Sequence, residues 1–130
     1  MQVRPGTEAD LDQISRLTGT GIETARGFLR DRSVRIGESD DRVIAVLTFQ
    51  DDGTALHITR LVGKACAYEA LLADPVNIAR QEQRAIETIV RDSRENVQHA
   101  LETVGFMAGE AGPTFEGETT TWYRFVPESV

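Results

Sequence analysis

Along the first thirty residues the apolar positions recur at helical spacing. Leu11, Ile14 and Leu17 form one stripe, and Ile22, Ala25, Phe28 and Leu29 form a second that ends near Arg32. Gly19-Thr20-Gly21 separates the two helices. Met1–Pro5 predicts a short strand ahead of them, and Thr7 reads as an N-cap followed by the acidic first turn of Glu8 and Asp10. From Val34 the pattern becomes that of strands. Val34–Gly37 predicts a strand, Glu38–Asp41 a polar turn, and Arg42–Gln50 a strand whose run Val43-Ile44-Ala45-Val46-Leu47 is expected to be buried on both faces. Asp52-Gly53 predicts a hairpin into a strand over Ala55–Val62.

Helical spacing returns from Ala65 to about Gln81, with Tyr68, Leu71, Leu72, Val76 and Ala79 on one face. Pro75 lies inside that stripe and lacks an amide donor, so a kink or restart is expected there. Arg84–Val90 predicts a strand. Asp92-Ser93-Arg94-Glu95 reads as a capping box opening a helix with Val97, Ala100, Leu101 and Val104 on its buried face and Gly105 as its C′ residue. Strands near Phe106–Glu110 and Glu118–Val126 close the chain, and alternation puts Trp122 and Tyr123 on opposite faces, one of them in the core. The order β-α-α-β-β-β-α-β-α-β-β describes an α+β domain.

The 130 residues suffice for one such domain, spanning 1–130, and 40% apolar with 27% charged residues is ordinary globular usage. No window has the roughly 18 apolar residues of a membrane span, and Met1–Asp10 has no apolar run of signal-peptide type, so a cytoplasmic protein without membrane contact is expected. A single cysteine, Cys66, and two histidines, His57 and His99, leave no disulfide and argue against a metal site. The net charge of −7 argues against nucleic acid as a partner. Lys64 is the only lysine, a bias toward arginine that fits a GC-rich genome or a protein kept soluble in high salt by surface carboxylates.

That element order, with Val3-Arg4-Pro5 followed by Thr7-Glu8-Ala9-Asp10-Leu11 and with Leu101-Glu102-Thr103-Val104-Gly105-Phe106 near the end, resembles the GNAT superfamily of acyl-CoA-dependent N-acetyltransferases over essentially the whole chain. The resemblance implies a mixed, mostly antiparallel sheet flanked by helices that opens between its fourth and fifth strands. It also implies acetyl-CoA as co-substrate and a small-molecule or peptide amine as acceptor, in a monomer or homodimer. A pyrophosphate needs unpaired backbone N–H groups at a helix start, and the matching stretch is Leu61, Val62, Gly63, Lys64, Ala65, Cys66 and Ala67. Leu61 and Val62 would polarise the acyl carbonyl, and Gly63 to Ala67 would hold the phosphates.

This chain departs from the family pattern at three places. Lys64, Cys66 and Tyr68 stand where glycines are expected, Leu101 stands where a tyrosine acid is frequent, and Arg94 stands where an asparagine often opens the helix. Leu101 cannot transfer a proton, which leaves Tyr123 or water as the acid. A base is needed to deprotonate the amine, and His57 and Glu87 are the candidates, each with the alternative of a structural role in the sheet. Cys66 reads either as a thiol activated by a helix start or as a packed core cysteine. Two functions follow: acetyl transfer to an amine, or a GNAT-like domain without turnover that senses a ligand or binds a protein.

Overall fold

The structure is a computed structural model that describes residues 1–128. Seven strands form one sheet in the order β1-β2-β3-β4-β5-β7-β6. Strands β1 (Gln2–Pro5), β2 (Val34–Ser39), β3 (Arg42–Asp51) and β4 (Ala55–Gly63) are an antiparallel meander, and β5 (Ala85–Arg91), β7 (Thr120–Phe125) and β6 (Met107–Ala111) complete it. Among the described residues only β4 and β5 pair in parallel. Helices α1 (Leu11–Thr18) and α2 (Ile22–Arg30) lie between β1 and β2, α3 (Tyr68–Glu82) crosses from β4 to β5, and α4 (Glu95–Thr103) links β5 to β6.

Two apolar cores sandwich the sheet. Ile14 and Ala25 of the first two helices pack on Val34, Ile36 and Val46, while Leu71, Leu72, Ala100 and Leu101 of α3 and α4 pack on Ala45, Leu47, Leu56 and Ile86. Strand β3 thus feeds both cores, as its unbroken apolar run predicts. The first helix starts as expected: the Asp10 carboxylate accepts from the Thr7 amide at 2.8 Å and its hydroxyl at 3.0 Å, and from both terminal nitrogens of Arg4. Gly105, at φ +109°, ends α4 as its C′ residue, with the Gly105 amide donating to Glu102 O and the Phe106 amide to Leu101 O. No helix among the described residues is long and apolar enough to cross a membrane.

Three local expectations are corrected. The β2–β3 turn is only Asp40-Asp41, both at positive φ, because Glu38 and Ser39 continue the strand past a bulge and Glu38 there accepts from Arg4. Pro75 does not interrupt α3; its ring is fully buried in the core, and that packing outweighs the one backbone bond it removes. Asp92 and Ser93 do not cap α4. The Asp92 carboxylate accepts from the hydroxyls of Thr119 and Thr121, and Ser93 bonds Glu118, so both are spent on the chain leading into β7.

Candidate functional site

The sheet parts between β4 and β5. Their parallel pairing covers only Ala55, Leu56 and His57 against Ala85, Ile86 and Glu87, after which β4 runs on to Gly63 and β5 to Arg91 without pairing. A bulge supplies the bend: Thr48 of β3 opposes Arg60 while Phe49 opposes Ile58, leaving Thr59 as the extra residue, and its hydroxyl bonds that of Thr48 at 2.6 Å. A strand residue sends its N–H and C=O to the same side. Val62 and Lys64 face β3, where the Lys64 amide donates to Ile44 O at 2.9 Å. Leu61 and Gly63 therefore face the gap.

The turn after β4 is fixed by Gly63. At φ +103° its Cβ position lies 2.3 Å from Ile44 O and 2.6 Å from Ala45 Cα, so only glycine permits the close approach to β3. A 3-10 turn over Ala65–Ala67 then leads into α3. The amides of Ala65 and Cys66 donate to no protein group among the described residues, whereas that of Ala67 donates to Lys64 O. Lys64, Ala65 and Cys66 are exposed. The expectation of a core cysteine is thereby corrected: the side chain at the second position of the turn points outward, and buried Ala67 and Tyr68 carry the packing. Tyr68 donates its hydroxyl to Gly63 O at 2.9 Å.

His57 and Glu87 are neighbours in the parallel register and line one open cavity of about 350 Å³ with Gln50, Thr59, Ile89 and Trp122. Both lie on the α1–α2 side of the sheet, opposite Leu56, Ile58 and Ile86. His57 Nε2 bonds Asp52 Oδ2 at 2.7 Å. Asp52 is itself locked: its other oxygen accepts from the Thr54 and Ala55 amides and the Thr54 hydroxyl. The Ala55 and Thr54 amides, then His57, hold its carboxyl well below the usual carboxylate range. A carboxylate only accepts, so Nε2 donates in that bond, and Nδ1 makes no hydrogen bond to the protein among the described residues. Glu87 instead lies 3.6 Å from Arg124. A larger cavity of about 520 Å³ adjoins on the same side, sharing Gln50 and Thr59 and lined also by Phe28, Asp31, Asp51 and Arg60. There the Arg84 guanidinium and then the Gly53 amide hold the Asp51 carboxyl down at about 2.

No family model matches the sequence, and no curated protein matches it. Among solved structures, yncA from Salmonella typhimurium, solved with its cofactor acetyl-CoA, superposes with a TM-score of 0.84 at 14% identity over 100% of this chain and 95% of that one. A GNAT-family acetyltransferase from Bacillus cereus ATCC 10987 is similar at TM-score 0.77 and 15% identity, over 98% of each chain. The fold is that of the GNAT acetyltransferases. TTHA1254 from Thermus thermophilus is 26% identical, with a TM-score of 0.73 over 89% of this chain and 96% of that one.

On the GNAT fold the departures noted in the sequence can be placed. Leu101 is 1% exposed in the α3–α4 core, so the tyrosine position holds packing and no proton. Tyr123 is buried too and donates its hydroxyl to Glu102; burial and then the Glu102 charge push its pKa up, and it lines none of the cavities along the gap. The expectation of Tyr123 as the acid is therefore not supported by its position. Arg94 reaches across the gap, with Nη2 2.7 Å from Leu61 O and 3.4 Å from the Tyr68 hydroxyl. Sequence reasoning missed the roles of Arg94, Asp52 and Tyr68. The spacing of Asp52 and His57 across a predicted Asp-Gly hairpin was the one available signal, because a tight hairpin brings such residues together.

Proposed function

We propose that the protein transfers an acetyl group from acetyl-CoA to an amine that enters from the α1–α2 side. The observation that carries this is the parting of β4 from β5 with His57, oriented by Asp52, at the point where they separate. The gap exposes a strand edge suited to an extended amide chain, and the two free amides of Ala65 and Cys66 beside Lys64 suit a pyrophosphate. The thioester supplies the activated acyl group. The chain's own residues do the rest: Asp31, Asp51, Asp52 and Glu87 draw a cationic amine to the cavities, and His57 Nδ1 accepts its proton. The Leu61 N–H faces the gap as donor to the carbonyl oxygen. Leu101, at the position where the resemblance places the acid, has no proton to give, so on this reading water protonates the leaving thiolate.

Leu101, without a proton to give, favours the second reading, a domain that binds acyl-CoA without turnover. Titration with acetyl-CoA followed by amide NMR, in moderate and in high salt, separates the readings when joined to an assay for free CoA thiol across a panel of primary amines. Shifts centred on residues 61–68 with thiol release abolished in His57→Gln support transfer. Shifts without release for any amine favour the binding domain, and no shifts at millimolar ligand overturn both.

A further inference from the structure

Three backbone carbonyls on the free edge of β4 face the gap, and the protein's own side chains bond each of them. Thr88 Oγ1 donates to Ile58 O at 2.9 Å, Arg94 Nη2 to Leu61 O at 2.7 Å, and the Tyr68 hydroxyl to Gly63 O at 2.9 Å. Buried strand acceptors demand partners, and these side chains supply them. Thr88 and Tyr68 are buried residues of packed elements and cannot leave without unpacking them. Arg94 differs in three respects. It is half-buried at the residue before α4, it has no carboxylate within 4 Å among the described residues, and two cavities meet at it. One, of about 180 Å³, lies in the gap; the other, of about 360 Å³, lies before α4 and Tyr68. Its guanidinium has room to leave and no ion pair holding it.

We propose that Arg94 is a latch that sets the affinity of the gap: it occupies Leu61 O, and an acyl-CoA enters only by displacing it. The inference rests on the acetyl-CoA reading above, because the competing ligand is the extended diamide arm of that thioester. Such an arm pairs with a strand edge as another strand would, through its N–H groups to strand carbonyls and its carbonyls to strand N–H groups. Of the three acceptors on this edge, Leu61 O is the one whose present donor sits on a movable side chain. The guanidinium–carbonyl bond is charge-assisted and therefore stronger than the neutral amide bond that replaces it.

The test measures Kd by calorimetry for CoA and for pantetheine, which has the amide arm and no phosphate, in the full chain and in Arg94→Ala and Arg94→Met. Both substitutions leave the backbone start of α4 intact, and methionine keeps the stem while removing every donor, so it decides the matter if the alanine variant fails to fold. The expected result is binding of both ligands about tenfold tighter in the variants, the net worth of one hydrogen bond to a charged group. Parental binding of CoA with no gain in either variant overturns the latch alone. Weaker CoA binding with unchanged pantetheine binding overturns it in favour of a phosphate contact. Absence of CoA binding in parent and variants overturns the acetyl-CoA reading, and the latch with it.

Discussion

Replacing Gly63 with alanine attacks the fold and the site at one atom. The added methyl would sit 2.3 Å from Ile44 O and 2.6 Å from Ala45 Cα, and both are backbone, so no side-chain rotation relieves the contact. The residue must also hold φ +103°, which for an L side chain costs about 1 to 3 kcal/mol. Forced overpacking adds a further ~1 to 3 kcal/mol. A combined loss of about 4 kcal/mol corresponds to a Tm drop of ~15 °C for a domain of this size. Gly53→Ala is the control, since Gly53 also has positive φ, +90°, but nothing within 4 Å of its Cβ position; it should lose only about 1 to 2 kcal/mol. Thermal melts followed by circular dichroism, with urea titrations for free energies, compare the two. The clash can be relieved only by lifting the end of β4 from β3, which breaks the Lys64–Ile44 bond and moves the amides of Ala65 and Cys66. Gly63→Ala should therefore also weaken CoA binding. Equal losses of Tm in the two variants would refute the argument, because the contact with β3 would then have no energetic consequence.

Asp52→Asn keeps the acceptor toward the turn amides but presents an NH2 group to His57, forcing the proton onto Nδ1; thiol-release assays should show kcat down about 10²- to 10³-fold with KM little changed. Leu101→Tyr places a larger ring in a fully buried site, so urea titration should show about 1 to 3 kcal/mol of lost stability and the thiol-release assay no gain in turnover. The Asp10 carboxyl is lowered from 3.8, first by its bond to Arg4, so it contributes stability that is present above that pH and lost as pH falls below it; a Tm-versus-pH series from 6 to 2 should be flatter below pH 4 in Asp10→Asn than in the parent.

The periodic elements were legible because each depends on neighbours in sequence: the stripe of α3, the two-sided burial of β3, and the Asp-Gly hairpin all stand where the pattern puts them. His57 and Glu87 were named singly, and only the parallel register, fixed by the α3 crossover, brings them side by side. What the sequence misled on are residues whose partners are far along the chain. Asp92 and Ser93 look like a capping box locally, but hydroxyls 27 and 29 residues away outcompete the α4 amides for Asp92, and Glu118 takes Ser93. Arg94 looks like a lost asparagine until β4, 33 residues earlier, is laid beside it. Burial misled in the same way: Cys66 looks like core by residue type, yet the turn sets its direction outward and gives the core to Ala67 and Tyr68.

Two of the positions at which this chain leaves the GNAT pattern, Tyr68 and Arg94, are in contact with one another, and that changes how they should be weighed. Tyr68 stands at a glycine position, and its hydroxyl closes the Gly63 carbonyl. Arg94 stands at the asparagine position, closes the Leu61 carbonyl and lies 3.4 Å from that same hydroxyl. Independent loss of function would scatter substitutions without such complementarity and would leave gap-facing carbonyls unsatisfied, at about 1 to 3 kcal/mol for each that is cut off from water. Here the two replacements instead supply donors to Gly63 O and Leu61 O, both from elements on the α3–α4 side of the sheet. In this gap the chain's own side chains satisfy the β4 carbonyls. On the proposed acetyl-CoA reading these bonds are the ones the ligand has to replace, so affinity at this gap would be set by competition for β4 carbonyls as much as by the amides of Ala65 and Cys66.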